Sequence, residues 1–201
     1  MKTINLFLVC WLIISSACTG QVNKNEKTQK SGVAFGIYET IMPDKLPVVI
    51  MDSLLKMGLQ DEKDDHQPIL GYMNKMASAD LHAASSDASV KLIKTFYTVD
   101  NEHKYHGIVA VKPDVLLDNS SIQKAVQINN AVEIRFNLEG AKVWAEITRN
   151  NTGKTLAFVI DDEIYSLPYV NAEIRIGMAR IDGFESEEMA RKIADGLNAK
   201  Q

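Results

Sequence analysis

Apolar and polar positions along the body of this chain alternate with two different periods, and the switches between them mark out its elements. Residues 33–40 and 90–99 are rich in β-branched and aromatic side chains and predict strands, with a helical start at Ser89 also open. Residues 47–57 place Ile50, Leu54, Leu55 and Met57 on or near one helical face, and Gly58 suits the end of that helix. The acidic run 61–65 predicts a solvated loop, and 66–73 a short strand. Residues 76–89, rich in Ala and Ser with weak periodicity, fit either helix or loop. Residues 105–111 predict a strand that forms a hairpin with 90–99 across Asn101 and Glu102.

The pattern is sharper further on. Val132, Ile134 and Phe136 alternate as a half-buried strand, after which Asn137 is suited to cap a helix lined by Leu138, Ala141, Trp144, Ala145 and Ile147 and ended by Gly153. Residues 154–168 contain two apolar runs around the acidic pair Asp161 and Asp162, a hairpin signal. Asp tolerates a positive φ better than most side chains, so the turn is expected to form without glycine. A last strand leads to a helix over residues 185–197, with Ser186 as its expected cap and Ala190, Ile193, Ala194 and Leu197 on one face. The acidic pair Glu187 and Glu188 suits the start of that helix.

The N-terminus reads differently. Lys2 precedes an apolar run over residues 4–14, then Ser15, Ser16 and Ala17, then Cys18, which is the order of a secretory signal. The run is shorter than the roughly 20 apolar residues of a spanning helix. A small residue directly before a cysteine is the pattern of bacterial lipoprotein processing, so Cys18 is the expected lipidation site; the alternative is an ordinary signal cut near Ala17. The only other cysteine, Cys10, lies in the apolar run, so cleavage before Cys18 leaves no partner for a disulfide. Residues 19–31 are polar and predict a flexible tether, about 20 Å in root-mean-square length.

Composition narrows the function. With 46% hydrophobic and 24% charged residues the body is globular in kind, and a net charge of −4 argues against nucleic-acid binding. No internal apolar stretch approaches bilayer length. The chain has no Gly-x-Ser-x-Gly elbow, phosphate-binding glycine loop or His-Glu-x-x-His motif. Ser53 with Lys56 and Ser121 with Lys124 match a Ser-x-x-Lys spacing, but Ser53 reads as a helix residue and Ser121 as a helix cap. His103 and His106 are expected on opposite faces of a strand. The run of Asp161, Asp162 and Glu163 lacks the spaced ligands of a calcium loop. Neither a catalytic residue, a metal site nor a cofactor is expected.

Several blocks from Tyr105 onward together resemble the first periplasmic head of the SecD and SecDF protein-export family. They are Ile108 to Val111 with the polar segment after it, Gly140, Ala141, Lys142, Trp144 and Thr148 in a helix, and Lys154, Leu156, Ala157, Asp161 and Pro168 in a hairpin. Asn119 and Asp162 stand where the family has glycine, and Glu185 where it often has Thr. The resemblance implies an α+β fold, an antiparallel or mixed sheet with helices packed on one face. It also implies a non-enzymatic role in holding exported polypeptide or contacting translocon components, without the intramembrane carboxylates that couple the family's action to protons. The expected organisation is signal 1–18, tether 19–31, an α+β region of unassigned type over 32–104, and the head-like domain over 105–201. The aromatic-rich run of Tyr165, Leu167, Tyr169 and Val170 is the candidate polypeptide-binding rim, unless these side chains belong to the core. A tethered structural or ligand-binding module without a role in export is the alternative reading.

Overall fold

A computed structural model describes residues 32–60, 67–74, 78–85, 88–100 and 105–199. The signal run, Cys18, the tether, the 61–65 loop, the Asn101 and Glu102 turn and His103 lie outside the described residues. The elements in chain order are β1 (Phe35–Ile41), α1 (Val48–Lys56), β2 (Ile69–Asn74), α2 (Ser78–Ala84), β3 (Lys91–Asp100), β4 (Tyr105–Val111), β5 (Leu117–Asp118), β6 (Ile122–Ile128) and β7 (Ala131–Phe136). They continue with α3 (Leu138–Asn150), β8 (Leu156–Ile160), β9 (Glu163–Ser166), β10 (Met178–Ile181) and α4 (Glu187–Asn198). The fold is α+β with a mixed larger sheet.

Pairing builds a seven-stranded sheet in the order β2-β4-β3-β9-β8-β1-β5 and a three-stranded sheet in the order β10-β7-β6. Within the larger sheet β1 runs antiparallel to β8 from Phe35 to Glu39, and its last residues, Thr40 and Ile41, reach across to Val111 and Ala110 of β4. β3 joins β9 through a parallel contact between Thr95 and Ile164. The pairings β1–β4, β4–β3, β3–β9, β9–β8 and β8–β1 therefore close a five-strand ring. The ring draws β1, from the region before residue 105, into the same hydrogen-bonded network as β8 and β9.

Period-two alternation sends the side chains of these strands to different places. Ile93, Val109, Val111, Ala157, Val159 and Ile164 form one cluster, contributed from the ring strands. Thr95, on the same parity as Ile93, is fully buried; its hydroxyl accepts from Gly107 N at 2.9 Å and donates to Tyr97 O at 2.8 Å. The intervening residues face outward. Leu92, Ile108 and Ala110 pack with Ile50 and Leu54 of α1 and Leu81 of α2. Phe35, Ile37, Leu156, Phe158 and Ile160 pack with Val132, Ile134 and Phe136 of the smaller sheet, Trp144 of α3 and Ile193 of α4.

Local chemistry explains where elements begin and end. Asn137 caps α3, its side chain accepting from Gly140 N at 2.8 Å, and Ser186 caps α4, accepting from Met189 N at 3.2 Å. The β8–β9 turn places Asp161 at φ 48° and Asp162 at φ 62°, the pair of positive values that matches the twist of a two-residue hairpin. Residues 78–84, open between helix and loop by sequence, are the helix α2.

Three expectations need correction. Ser121 caps no helix, because a single 3-10 turn at Asn119–Ser121 runs into strand β6, where Ile122, Val126 and Ile128 recur at even spacing. Leu138 is 75% exposed. The buried stripe of α3 is Gly140, Trp144, Ile147 and Thr148, which lies well round the helix from its first residue. Leu55 and Met57 are likewise exposed, while Ile50 and Leu54 are buried.

Truncating Ile164, which is fully buried in the ring cluster, is expected to cost about 2–5 kcal/mol in urea denaturation. Leu138→Ala is expected to change stability by no more than about 0.5 kcal/mol, since the side chain is already in water.

Candidate functional site

After β9 the chain stays extended along the start of β8. Leu156 N donates to Pro168 O at 3.1 Å, Val170 N donates to Lys154 O at 2.9 Å, and Thr155 bridges Tyr169. Residues 171–177 then leave the large sheet and cross to β10 of the small one. That crossing is tied down at several points. The buried Thr148 hydroxyl accepts from Ile174 N at 2.9 Å and donates to Trp144 O at 2.9 Å. The Trp144 indole donates to Met178 O at 3.0 Å, and Phe136 N donates to Gly177 O at 3.0 Å. Gly177 sits at φ +63° with a hypothetical Cβ 2.6 Å from that of Ala141, so only glycine lets the segment approach α3 this closely.

Between the crossing and β10 lies a cleft of 510 Å³. Trp144 and Phe158, both buried, contribute to its lining, as do Val170, Ile174 and Ala179. Two large apolar side chains stand at it in solvent, Tyr169 at 58% exposure and Ile176 at 74%. Charge is present in opposed pairs. Arg175 donates to Glu173 at 2.9 Å, and this bond holds the Glu173 carboxyl below the usual carboxylate range; Arg180 donates to Asp182 at 2.7 Å. The cleft lining has no His, Cys, Ser, Thr or Lys.

The four side chains of the aromatic-rich run have different environments. Tyr169 and Val170 line the cleft, the former exposed and the latter buried. Tyr165 is half-buried on another side, stacked on Phe96 with centroids 4.4 Å apart and tilted against Phe184 at 5.6 Å. Burial first, then the nearby Glu163 and Asp161 charges, push its phenol up to about 12. Leu167 packs against the ring cluster. Trp144, Ile174 and Ile176 complete the cleft, and their sequence signals are indirect. A buried indole needs an acceptor for its N–H, and Ile176 is an apolar residue between Arg175 and a positive-φ glycine.

The other polar candidates are engaged structurally. Asp161 accepts from Ala34 N at 2.8 Å, Asp162 pairs with Lys91 at 3.2 Å, and Glu163 pairs with Lys94 at 2.7 Å. Ser53 donates to Val49 O at 2.9 Å, and Nδ1 of His106 lies 2.7 Å from Thr95 O. Among the described residues no group of three His, Cys, Asp or Glu side chains is placed to hold a metal ion. Nor is any described helix long and apolar enough to cross a membrane.

The fold and the cleft define a small α+β module with an apolar slot between two sheets. A family model described as the SecDF P1 head subdomain matches residues 94–200. The chain belongs to that family. Protein translocase subunit SecD of Rickettsia typhi is 29% identical over 144 residues, covering 65% of this chain and 28% of the relative. SecD of Rickettsia prowazekii is 35% identical over 103 residues, covering 48% and 20%, and SecDF of Thermus thermophilus is 44% identical over 63 residues, covering 31% and 9%. The chain thus spans well under a third of the length of these relatives. A solved structure described as a membrane component SecDF that enhances protein export is 22% identical, with a TM-score of 0.44 over 83% of this chain and 94% of that one. The super-membrane-facing form of SecDF is 20% identical, with a TM-score of 0.45 over 86% of this chain and 29% of that one.

The raised Tyr165 value has a direct thermodynamic consequence. An unfolded tyrosine ionises near pH 10 while folded Tyr165 stays neutral to about 12, so its contribution is fully present below pH 10 and is lost as pH rises between these values. Urea unfolding at pH 9 and pH 11 is expected to show that loss in the wild type and a smaller one in Tyr165→Phe. Equal losses in the two proteins would contradict it.

Proposed function

We propose that this chain is a non-enzymatic envelope lipoprotein whose head binds extended apolar segments of exported polypeptide beside the Sec translocon. The observation that carries the reading is the cleft with Tyr169 and Ile176 exposed at it, because large apolar side chains held in water next to a formed apolar slot mark a binding surface. β10, which pairs with β7 on one side, adds an edge strand beside the same slot. Backbone pairing there is tolerant of sequence, as a protein that handles many clients requires. The lining has no imidazole, thiol or serine hydroxyl, and its carboxylates Glu173 and Glu133 are paired with Arg175 and Arg135, which favours binding over bond-making.

The partner assignment rests on relatives that are protein translocase subunits. The lipid anchor rests on Ala17 and Cys18 after the apolar run. In this reading residues 19–31 hold the head off the membrane surface on the periplasmic side. Residues 32–104 and 105–201 act as one unit, because β1 is built into the ring.

A photo-crosslinking amino acid at Tyr169 is expected to trap unfolded exported polypeptide, whereas the same probe at Val48, exposed at the start of α1 and outside the cleft lining, is not. Equal trapping at both positions, or none at Tyr169, would sink the binding assignment and favour a module without a role in export. Separately, Cys18→Ser is expected to abolish labelling by a radioactive fatty acid and move the protein out of the membrane fraction. Unchanged labelling would remove the anchor from the reading.

A further inference from the structure

β6 lies at one edge of the three-stranded sheet, and such an edge presents a row of backbone donors and acceptors to any passing strand. The register fixes which groups point outward. Phe136 of β7 bonds toward β10 through Gly177, so in the antiparallel alternation Ile134 and Val132 also bond that way. Arg135 and Glu133 then bond toward Lys124 and Val126 of β6. The outward-facing residues of β6 are therefore Ala125 and Gln127, and the bulge between Ile122 and Lys124 ends the alternation before them.

Ala125 already has a partner that is not a strand. Its N–H donates to Asn198 Oδ1 at 2.8 Å, and its carbonyl accepts from Asn198 Nδ2 at 2.8 Å. A carboxamide carries one acceptor and two donors, so Asn198 reproduces both bonds that a neighbouring strand would make at this position. Its placement is fixed by the fold. Asn198 is the last residue of α4, Leu197 before it is buried, and Gly196 is packed so closely on Val33 that an added Cβ would lie 2.7 Å from it.

We propose that Asn198 is a strand-edge guard, and that the surface it guards is a self-pairing edge for a second copy of this chain. A two-fold axis through Val126 brings Val126 opposite its own copy, Ala125 opposite Gln127 of the copy, and Lys124 opposite Ile128, so that only outward groups of the unbroken ladder pair. No like charges meet, and the interface is isologous. The sequence Ile122–Ile128 suits such pairing, because Lys124 is its only charge, it contains neither Pro nor Gly, and Val126 and Ile128 are exposed. A cleft of 440 Å³ lined by Gln123, Ile122 and Leu197 lies against the guard, leaving space beside it along the edge.

The test is sedimentation velocity of the full chain over a range of concentrations, with thermal melts as a folding control. The wild type is expected to be monomeric. N198A, and N198S as a milder replacement too short to make both bonds, are expected to dimerise with an association constant at least about tenfold higher, the scale of one or two net hydrogen bonds. Adding Q127P removes an outward N–H from the edge, which an edge strand tolerates, and is expected to return N198A to monomer. The proposal is overturned if the folded Asn198 variants stay monomeric, if the wild type dimerises equally, if Q127P fails to reverse the association, or if the variants gain peptide binding without self-association.

Discussion

The register between β1 and β8 is the constraint on which the rest of the molecule depends. Five consecutive residues of β1 pair with β8, and the free end of β1 reaches β4. Without this pairing the circuit of strands is open, and the cluster of Ile93, Val109, Val159 and Ile164 loses one wall. The outward residues of the same strands, Phe35, Ile37 and Phe158, form the surface on which the smaller sheet and α3 pack. The cleft lies where that packing stops. Its wall carrying Val170 belongs to the large sheet's margin, its β10 wall to the small sheet, and Trp144 contributes from α3 beside them. One hydrogen-bonded seam thus sets both the interior and the distance between the walls of the candidate site.

What could be read from the sequence was local. The β8–β9 hairpin follows from two apolar runs around Asp161 and Asp162, and the caps at Asn137 and Ser186 follow from residue type and the helical period after them. The β3–β4 hairpin follows from two strand-like runs close together in sequence. What could not be read was non-local. The pairing of β1 with β8 joins segments separated by nine of the elements described above, and no short-range pattern encodes it. The exposure of Leu138 depends on which stripe of α3 meets the sheet, and that stripe is decided by the close approach of Gly140 to Ser121.

The candidate site divides along the same line. Tyr169 attracts attention in sequence because it belongs to an aromatic-rich run outside the strand pattern, yet its neighbours Tyr165 and Leu167 are used in packing. Trp144 read as one apolar position among five on a helix. Its position at the cleft depends on the crossing segment, held by Thr148 and by its own indole bond to Met178. A cleft assembled from α3, an irregular segment and an edge strand has no contiguous sequence signature. This also separates family membership, carried by ordered motif blocks over residues 94–200, from binding chemistry, carried by a few side chains brought together in space.

The seam between β1 and β8 also imposes an order on the birth of the fold. Ala34 is held by Asp161 across 127 residues of chain, so a polypeptide emerging N-terminus first exposes β1 long before its partner strand arrives. The ring cannot close until the β8–β9 hairpin has emerged, and closure carries the entropy of a long loop. Closure of the ring is consequently a late event that waits on the last third of the chain, and until then the apolar faces of Phe35 and Ile37 are left without their strand partner.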